Sequence, residues 1–339
     1  MIAEAYLHQL SPFAIELTES FGLRWYGLAY ICGFLLAWWF IRLMARTGRS
    51  PLSPEQAGDL LFAGVLGVLI GGRIGYAAFY DQSLLVGFSN TIPWWDLLAI
   101  NRGGMASHGG FLGVLVAFFI WGRKHHVSVL HLTDLGSVGC TAGLFFGRLA
   151  NFVNGELWGK KLENQTDPPW WSVKYPAEIT ELWTQHPEMY GEQLAAIEPL
   201  RSTVVGGNDF YVQIVSEAYA GNEVVIASLS PQLTAWYPSQ LFQAISDGPL
   251  LLAALLLVWF VPRKPGIVSG WFLIVYGTLR IFTEMFRQPD EGVSLIAGMS
   301  RGQLLSVGMI FAGCLLAVVC AKSETETYGG IFKKKQAST

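Results

Sequence analysis

The sequence contains few charged residues for its length. Only 14% of its 339 residues are Asp, Glu, Lys or Arg, whereas 52% are hydrophobic. Soluble globular domains carry about 25% charged residues, so this deficit is typical of a membrane protein. The formal net charge is −3. Proteins that bind nucleic acid use a clustered basic face, so we expect no nucleic-acid partner.

Cysteines and metal-binding motifs are also scarce. The four cysteines lie in apolar runs without paired spacing, which predicts buried thiols and neither disulfides nor a metal site. They are Cys32, Cys140, Cys314 and Cys320. The sequence has no acidic cluster suited to Mg²⁺ and no glycine-rich phosphate-binding loop of the Walker type. We therefore expect the protein to require no metal and no other cofactor.

Long apolar runs, by contrast, are abundant. A membrane-spanning helix needs about 20 mainly apolar residues, and seven runs approach this length. They are residues 21–43, 57–80, 104–122, 132–153, 238–262, 267–288 and 302–321. The first 20 residues contain three Glu and no Lys or Arg, which predicts a retained anchor and not a cleaved signal. Glycine-rich runs such as GVLGVLIGGRIGY at 64–76 allow helices to approach closely.

Basic residues predict the orientation of these spans. They follow the first, third and fifth spans and recur in the C-terminal tail, so these segments are expected in the cytoplasm and the N-terminus outside. They are Arg42, Arg46, Arg49, Arg123, Lys124, Arg263, Lys264, Lys333, Lys334 and Lys335. The predicted fold is an all-α polytopic membrane protein with seven transmembrane helices, an external N-terminus and a cytoplasmic C-terminus.

The one long connection has a different composition. Residues 157–236 contain ten acidic and four basic residues, and we expect a small extracytoplasmic head with β-like runs such as FYVQIV at 210–215. The predicted division is residues 1–156 for the first four spans and the head at 157–236. Residues 237–322 would form the last three spans and residues 323–339 a cytoplasmic tail.

Polar residues of several spans fall near the external face in this topology. Ionisable residues inside membranes usually mark function. At about 100° per residue, Tyr276, Arg280, Glu284 and Arg287 lie within about 80° of one another on a helix. Arg148 and Asn151 are three residues apart and so share a helix face. We therefore expect these side chains to point inward together.

A surplus of guanidinium groups in this set suggests a phosphate ligand, which arginine can bind with two hydrogen bonds. The arginines are Arg73, Arg148, Arg280 and Arg287, and the candidate acids are Glu156 and Glu284. At this depth the natural anion is a phospholipid headgroup. His108 is a possible proton acceptor at neutral pH, and the glycines that follow it would allow close backbone approach.

The segment GRLANFVNGELWG at 147–159 closely resembles the signature G-R-x-x-N-F-x-N-x-E-x-x-G of the prolipoprotein diacylglyceryl transferases. Other similar segments follow in order: LRWYGL at 23–28, GGRIGY at 71–76, SHGGFLG at 107–113, YPSQL at 237–241, YGTLRIFTEMFRQPD at 276–290 and GQLLS at 302–306. The similarity covers nearly the whole chain except the head. Three departures are a longer segment at 160–235, Tyr237 where histidine is common, and SRGQ in place of methionine-glycine-glutamine.

The resemblance implies a multi-pass enzyme of the bacterial plasma (inner) membrane whose active site faces the outer leaflet. Such an enzyme transfers the sn-1,2-diacylglyceryl group of phosphatidylglycerol to the lipobox cysteine thiol in the signal peptide of a preprolipoprotein. The products are a thioether and glycerol phosphate, in the first step of lipoprotein maturation. The expected partners are therefore phosphatidylglycerol, the signal peptide and membrane lipid.

The site residues come partly from this resemblance and partly from the polar pattern. The resemblance carries over Tyr26, His108, Arg148, Asn151, Glu156, Gly159, Tyr276, Arg280 and Glu284, and the pattern adds Arg73, Asn154 and Arg287. We expect His108, Arg148 and Arg280 to be catalytic and all except His108 to bind phosphatidylglycerol. Glu156 and Glu284 are expected to fix the arginine rotamers.

Two questions stay open at this point. A thiol has a pKa of about 8.5, so it needs either His108 as a base or an arginine-rich setting that favours the thiolate. The other question is the class of protein. A transporter or flippase of an anionic lipid is the alternative, and it would place polar residues at the midplane and show an internal repeat. The sequence shows neither feature.

Overall fold

A computed structural model describes residues 4–18, 21–90, 92–100, 103–204, 209–288 and 299–330. Most of these residues are helical. The longer helices are α1 (Trp25–Arg46), α2 (Gln56–Phe79), α3 (Ser107–His125), α4 (Val129–Val153), α5 (Pro187–Ile197), α6 (Phe210–Tyr219), α7 (Glu223–Leu229), α8 (Ser239–Ile245), α9 (Leu251–Val258), α10 (Ile267–Glu284) and α11 (Arg301–Lys322). The strands are β1 (Tyr6–Leu7), β2 (Phe13–Thr18), β3 (Phe21–Arg24), β4 (Val173–Lys174) and β5 (Ala235–Trp236).

Six helices among the described residues are long and apolar enough to cross a membrane. They are α1, α2, α4, the combined segment Ser239–Val258, α10 and α11. They correspond to six of the seven predicted spans, and the chain is therefore a multi-pass membrane protein. The remaining predicted span, 104–122, corresponds to α3. This 19-residue helix is less apolar because it begins with Ser-His and ends with Arg123, Lys124 and His125.

The chain divides into two compact units. The first contains Met1–Cys32, Gly143–Leu250 and Gly277–Val307, and the second contains Gly33–Ala142, Leu251–Tyr276 and Gly308–Thr339. Helices α1, α4, α10 and α11 each contribute residues to both units. The predicted head segment belongs to the first unit, together with the ends of several apolar helices.

The head segment is built around a helical apolar core. This core contains Ile179, Trp183, Ile197, Leu200, Ile214, Ala218, Val225 and Leu229. The prediction of β-structure for FYVQIV at 210–215 is wrong, because these residues form the start of α6. Asp209 caps this helix by accepting a hydrogen bond from Tyr211 N at 2.8 Å. Ile214 and Ala218, four residues apart, then face the core together.

A buried carboxylate connects the start and the end of the head segment. The side chain of Glu178 is inaccessible to solvent. It accepts hydrogen bonds from Trp183 Nε1 (3.0 Å), Thr234 N (3.0 Å), Thr234 Oγ1 (2.5 Å) and Trp236 Nε1 (3.2 Å). Hydrogen bonds to a charged acceptor are stronger than neutral ones. Glu178 therefore fixes the segment that leads into α8.

The N-terminal segment is attached to the same region. Strand β1 pairs in parallel with β4, and β4 pairs antiparallel with β5. His8 follows β1 and is fully buried, where its Nε2 donates to Phe152 O at 2.7 Å. Burial lowers the pKa of His8 below its ordinary value of 6.5, and the hydrogen bond to Phe152 opposes this shift only in part.

Glycines allow α2 and α3 to pack closely in the second unit. A Cβ on Gly67 would lie 2.6 Å from Gly113 O, and a Cβ on Gly109 would lie 2.4 Å from Gly71 O. No side chain fits at these distances, so the two helices meet backbone to backbone. The prediction that glycine-rich runs serve helix packing is confirmed. Gly109, expected to approach a ligand, is one of these packing residues.

Asp134 in α4 holds the start of α10 within the second unit. Its carboxylate accepts hydrogen bonds from Gly266 N (2.8 Å), Ser269 N (2.7 Å) and Ser269 Oγ (2.7 Å). A carboxylate at a helix N-terminus satisfies free N–H groups and interacts favourably with the helix dipole. This buried acid therefore has a structural explanation.

The prediction that all four cysteines are buried is wrong for three of them. Cys32, Cys140 and Cys314 are exposed, and only Cys320 is buried. All four are free thiols. Cys32, Cys140 and Cys314 lie on membrane-spanning helices. An apolar run in a membrane protein places part of its surface toward lipid, so apolar surroundings in the sequence do not imply burial in the fold.

Replacing Glu178 with Gln should destabilise the head. Gln presents an NH₂ group to donors that now bind a carboxylate, and we expect a loss of about 2–4 kcal/mol in unfolding free energy. The control is Glu188→Gln, at a side chain that is 68% exposed in the same segment. Thermal unfolding followed by tryptophan fluorescence checks this, and equal melting temperatures for the two variants would contradict it.

Acidification should weaken the region around His8. Because its pKa is lowered in the folded protein, the unfolded chain binds a proton below pH 6.5 while folded His8 stays neutral. Stability should therefore fall as pH drops from 6.5, by at most about 1.4 kcal/mol per pH unit. His8→Gln keeps a donor for Phe152 O and should reduce this dependence. The melting temperatures of both proteins at pH 5 and pH 7.5 check this, and an unchanged pH dependence in His8→Gln would contradict it.

Candidate active site in the first unit

The signature segment lies where α4 ends. Gly155 has a φ of +64°, and its N–H donates to Phe152 O at 2.9 Å while Glu156 N donates to Asn151 O at 3.0 Å. This is the Schellman pattern of helix termination, in which glycine takes the left-handed conformation without strain. The turn brings Glu156 back beside the last turn of α4.

Glu156 joins three predicted site residues in one hydrogen-bond network. Tyr26 donates its hydroxyl to Glu156 Oε2 at 2.9 Å, and Asn154 Nδ2 donates to Glu156 Oε1 at 3.2 Å. Asn151 Nδ2 donates to the Tyr26 hydroxyl. Polar contacts between predicted site residues therefore join the start of α1 to the end of α4.

Three further side chains hold the main chain of this turn. Gln240 Nε2 donates to Glu156 O at 2.6 Å, and Ser239 Oγ donates to Leu157 O at 3.0 Å. Trp158 Nε1 donates to Gly155 O at 2.5 Å. Leu157 has a φ of +56°, which is unfavourable for a non-glycine residue and persists only where its surroundings fix it. The first turn of α8 therefore keeps the signature turn in place.

Gly159 lies where three chain segments meet. Its N–H donates to Tyr237 O at 3.0 Å, Lys160 N donates to Phe286 O at 2.9 Å, and Gly159 is bridged to Arg287. A Cβ at Gly159 would lie 2.3 Å from Tyr237 O and 2.7 Å from Phe286 O. Only glycine fits, and its contacts connect the signature to the segment that carries Arg287.

Three predicted arginines of the first unit lie beside carboxylates. Arg148 Nε is 3.6 Å from Asp247 Oδ2. Glu284 Oε2 is 3.5 Å from Arg280 Nη2 and 3.9 Å from Arg287 Nη1. These three arginines and two carboxylates carry a formal net charge of +1.

The start of α11 contributes to the same cluster. Ser300 N donates to Gln303 Oε1 at 3.0 Å and Gln303 N donates to Ser300 Oγ at 3.1 Å, which is a reciprocal capping arrangement. Ser300 Oγ also donates to Glu284 Oε1 at 3.4 Å. The unusual SRGQ segment thus caps α11 and contacts the carboxylate between two arginines. A Ser-x-x-Gln pattern before an apolar run could have indicated this cap.

The acids of the site differ from those expected. Glu284 does contact Arg280 and Arg287, as predicted. The described hydrogen bonds of the Glu156 carboxylate come from Tyr26 and Asn154 and not from an arginine. Asp247 beside Arg148 was not selected from the sequence. In the sequence, Asp247 stands out only as an acid inside the apolar run 238–262, next to Gly-Pro.

Arg73 has a different environment from that expected. All five of its N–H donors bind main-chain carbonyl groups of the loop between α2 and α3. The acceptors are Leu97 O (2.7 Å), Gly103 O (2.6 Å), Gly104 O (3.0 Å), Asp96 O (2.6 Å) and Ala99 O (3.3 Å). No donor is left for a phosphate, so we leave Arg73 out of the phosphate site. The expected surplus of four arginines is correspondingly reduced to three.

Two further predicted residues also belong to the second unit. His108 lies in the first turn of α3 and is exposed. Tyr276 lies in α10, where its ring stacks on that of Phe272 with centroids 5.6 Å apart. Their roles stay predictions. Within the described residues, no group of three or more His, Cys, Asp or Glu side chains is arranged to hold a metal ion.

Comparisons with known proteins identify a family. A family model described as prolipoprotein diacylglyceryl transferase matches residues 12–319. The chain is 37% identical over 340 residues to a phosphatidylglycerol–prolipoprotein diacylglyceryl transferase of Bdellovibrio bacteriovorus, covering 94% of each chain. It is 34% identical over 320 residues to one from Rhodospirillum rubrum, covering 93% of this chain and 94% of the relative. A Pseudoalteromonas translucida relative of the same name is 36% identical over 309 residues, covering 90% and 91%.

Gly159→Ala should destabilise the fold. The added methyl group would collide with two main-chain oxygens, and we expect a loss of about 1–3 kcal/mol. The matched control is Gly147→Ala, where a Cβ meets nothing within 4 Å. That substitution lies in a helix interior and should be neutral or stabilise by up to about 1 kcal/mol. Thermal unfolding in detergent compares the two, and a Gly159→Ala protein as stable as the control would contradict the close packing.

Proposed function

The chain belongs to the prolipoprotein diacylglyceryl transferase family, and we propose that its first unit contains the phosphate-binding part of the active site. The enzyme is a transferase that moves the diacylglyceryl group of phosphatidylglycerol to prolipoproteins. One observation carries the proposal. Arg148 is paired with Asp247, and Arg280 and Arg287 are paired with Glu284, in the unit that also holds the Tyr26–Glu156 network.

We propose a topology that places this site toward the outer leaflet of the bacterial plasma membrane. It has seven spans, with α3 as the third, an external N-terminus and an extracytoplasmic head. The basic last turn of α3 supports it, because such residues prefer the cytoplasmic side. The tail residues Lys333, Lys334 and Lys335 lie outside the described residues.

The guanidinium groups would bind the phosphodiester of phosphatidylglycerol. Arg148 and Arg280 are 20% and 16% exposed, which leaves them accessible from a largely apolar setting. Electrostatic attraction is stronger where water is scarce, so a phosphate is favoured there. Arg287 would add charge from the end of α10. Asn151 and Asn154 would orient the headgroup, with Tyr26 and Glu156 fixing the amide groups.

The chemical step exchanges a carbon–oxygen bond for a carbon–sulfur bond. The thiolate of the lipobox cysteine attacks the glycerol carbon that bears the phosphate. The carbon–oxygen bond breaks, and its electron pair stays on the phosphate oxygen, so glycerol phosphate leaves. Negative charge grows on that oxygen in the transition state, and the arginines stabilise it. The thioether-linked signal peptide is the other product.

The thiol proton has two possible acceptors. His108 is exposed in the first turn of α3, and we propose it as the base. In the other account the arginines favour the thiolate and the proton passes to solvent. The transporter alternative is set aside, because the relatives are named as transferases.

Arg148→Ala and Arg280→Ala should each lower the rate of transfer by about 10²–10³-fold, because each removes a group that stabilises transition-state charge. The assay uses purified protein, phosphatidylglycerol and a cysteine-bearing signal peptide, and it quantifies thioether adduct and glycerol phosphate. The control is Arg201→Ala, at an exposed head residue that pairs with Glu198. Full activity in both site variants would refute the assignment.

His108→Ala distinguishes the two accounts of thiol activation in the same assay. If His108 is the base, the rate should fall by about 10²–10⁴-fold, and the loss should be smaller at high pH, where the thiol ionises unaided. An unchanged rate at neutral pH would favour activation by the arginines alone.

A further inference from the structure

We propose that Asp247 is a positioning residue, which fixes the guanidinium of Arg148 for binding of the substrate phosphate. The inference rests on the proposed function, in which Arg148 contacts that phosphate. Neither the signature nor the polar pattern of the sequence points to Asp247. Three structural observations support it: its burial, the local form of its helix and the packing of that helix against α4.

Asp247 is a fully buried acid in a membrane-spanning segment. Its side chain is inaccessible to solvent, and it lies within the span Ser239–Val258. A buried carboxylate there is unfavourable unless a cation compensates it, and an apolar residue would be cheaper for folding alone. Arg148 Nε at 3.6 Å supplies that cation. Ser246 Oγ donates to the other carboxylate oxygen at 3.0 Å.

The helix departs from regular geometry at this point. Residues Ser246–Leu250 form a π-helical turn between α8 and α9, with Pro249 inside it. Such turns are rare and occur frequently at functional sites, because the extra residue changes the direction of nearby side chains. Asp247 is the second residue of this turn. The irregular turn therefore sets the direction of the one acid in the span.

The turn fits directly against the face of α4 that carries Arg148. A Cβ on Gly248 would lie 2.6 Å from Phe145 Cβ, so the two backbones are in close contact. Phe145 and Arg148 are three residues apart and share one helix face. The packing of Gly248 on Phe145 thus determines how Arg148 meets Asp247. The position of the ion pair follows from backbone contact and not from long flexible side chains.

Asp134 provides a contrast within the same chain. It is also a buried acid on a membrane-spanning helix, but three hydrogen bonds of 2.7–2.8 Å satisfy it at the start of α10. That arrangement explains a role in folding. Asp247 instead lies at ion-pair distance from Arg148. Its carboxylate therefore orients and partly neutralises Arg148, whereas Glu284 contacts Arg280 and Arg287.

The test compares Asp247→Asn, Asp247→Glu and Asp134→Asn in the transfer assay, with rates normalised to folded protein. Asp247→Asn should lower kcat/KM for phosphatidylglycerol by about 10–100-fold, mainly through a higher KM. Asp247→Glu keeps the charge and should recover most of the loss. Asp134→Asn should lower the melting temperature while activity per folded molecule stays unchanged. A merely structural role for Asp247 would give the Asp134 pattern and would overturn the proposal.

A double-mutant cycle with Arg148→Lys shows whether Asp247 acts through Arg148. Lysine has a different shape and cannot be oriented in the same way, so Asp247→Asn should cost less than about threefold in that background. Equal losses in both backgrounds would overturn the proposal. If Asp247→Asn does not accumulate, Asp247→Ser, which also removes the charge, is tested in the two backgrounds instead, by the same criterion.

The activities of Arg148→Ala and Asp247→Asn show whether the proposed function or only the role of Asp247 is wrong. Full activity of Arg148→Ala would remove the phosphate site itself. Loss of activity in Arg148→Ala together with wild-type kinetics in Asp247→Asn would leave the phosphate site intact and overturn only the role of Asp247.

Discussion

A guanidinium group inside an apolar helix assembly needs carboxylate or carbonyl acceptors nearby, because burying an uncompensated charge costs several kcal/mol. In the first unit this requirement decides which segments must meet. Asp247 lies beside Arg148, and Glu284 lies beside Arg280 and Arg287. The first pair joins α4 to the π-helical turn after α8, whereas the Glu284 pairs lie along α10 and the residues that follow it. The arginine proposed to bind the phosphate from α4 therefore also makes the ion pair that joins α4 to this turn.

Main-chain geometry also positions the candidate site, alongside the ion pairs. Gly155 reverses the chain at the end of α4, and Gly159 leaves room for two other segments to pass. Side chains of α8 bind carbonyl oxygens of the turn between them. A mobile turn would pay the entropy of ordering whenever a ligand bound. Fixing the turn in advance removes that penalty and keeps Glu156 beside Tyr26.

The parts that could be predicted from sequence follow from local chemistry. Apolar length located six helices, and the signature at 147–159 selected Asn151 and Glu156, which the fold joins through Tyr26. Other features depend on distant residues. Arg73 was assigned to a phosphate because nothing local reveals that loop carbonyls occupy its donors. FYVQIV has β-favouring residues, but a cap at Asp209 and a helical core override that preference. Asp247 was missed because its partner lies 99 positions earlier.

The meeting point at Gly159 has a consequence for biosynthesis. It joins the chain near residue 159 to residues 237 and 286–287, and Tyr26 comes from near the N-terminus. Contacts between positions so far apart form only after the later part has been made. A chain still emerging from the ribosome therefore lacks the arginine cluster until its penultimate span is in the bilayer. If this cluster is the phosphate site proposed above, incomplete chains are unable to consume lipid, and catalysis begins only when synthesis is almost finished.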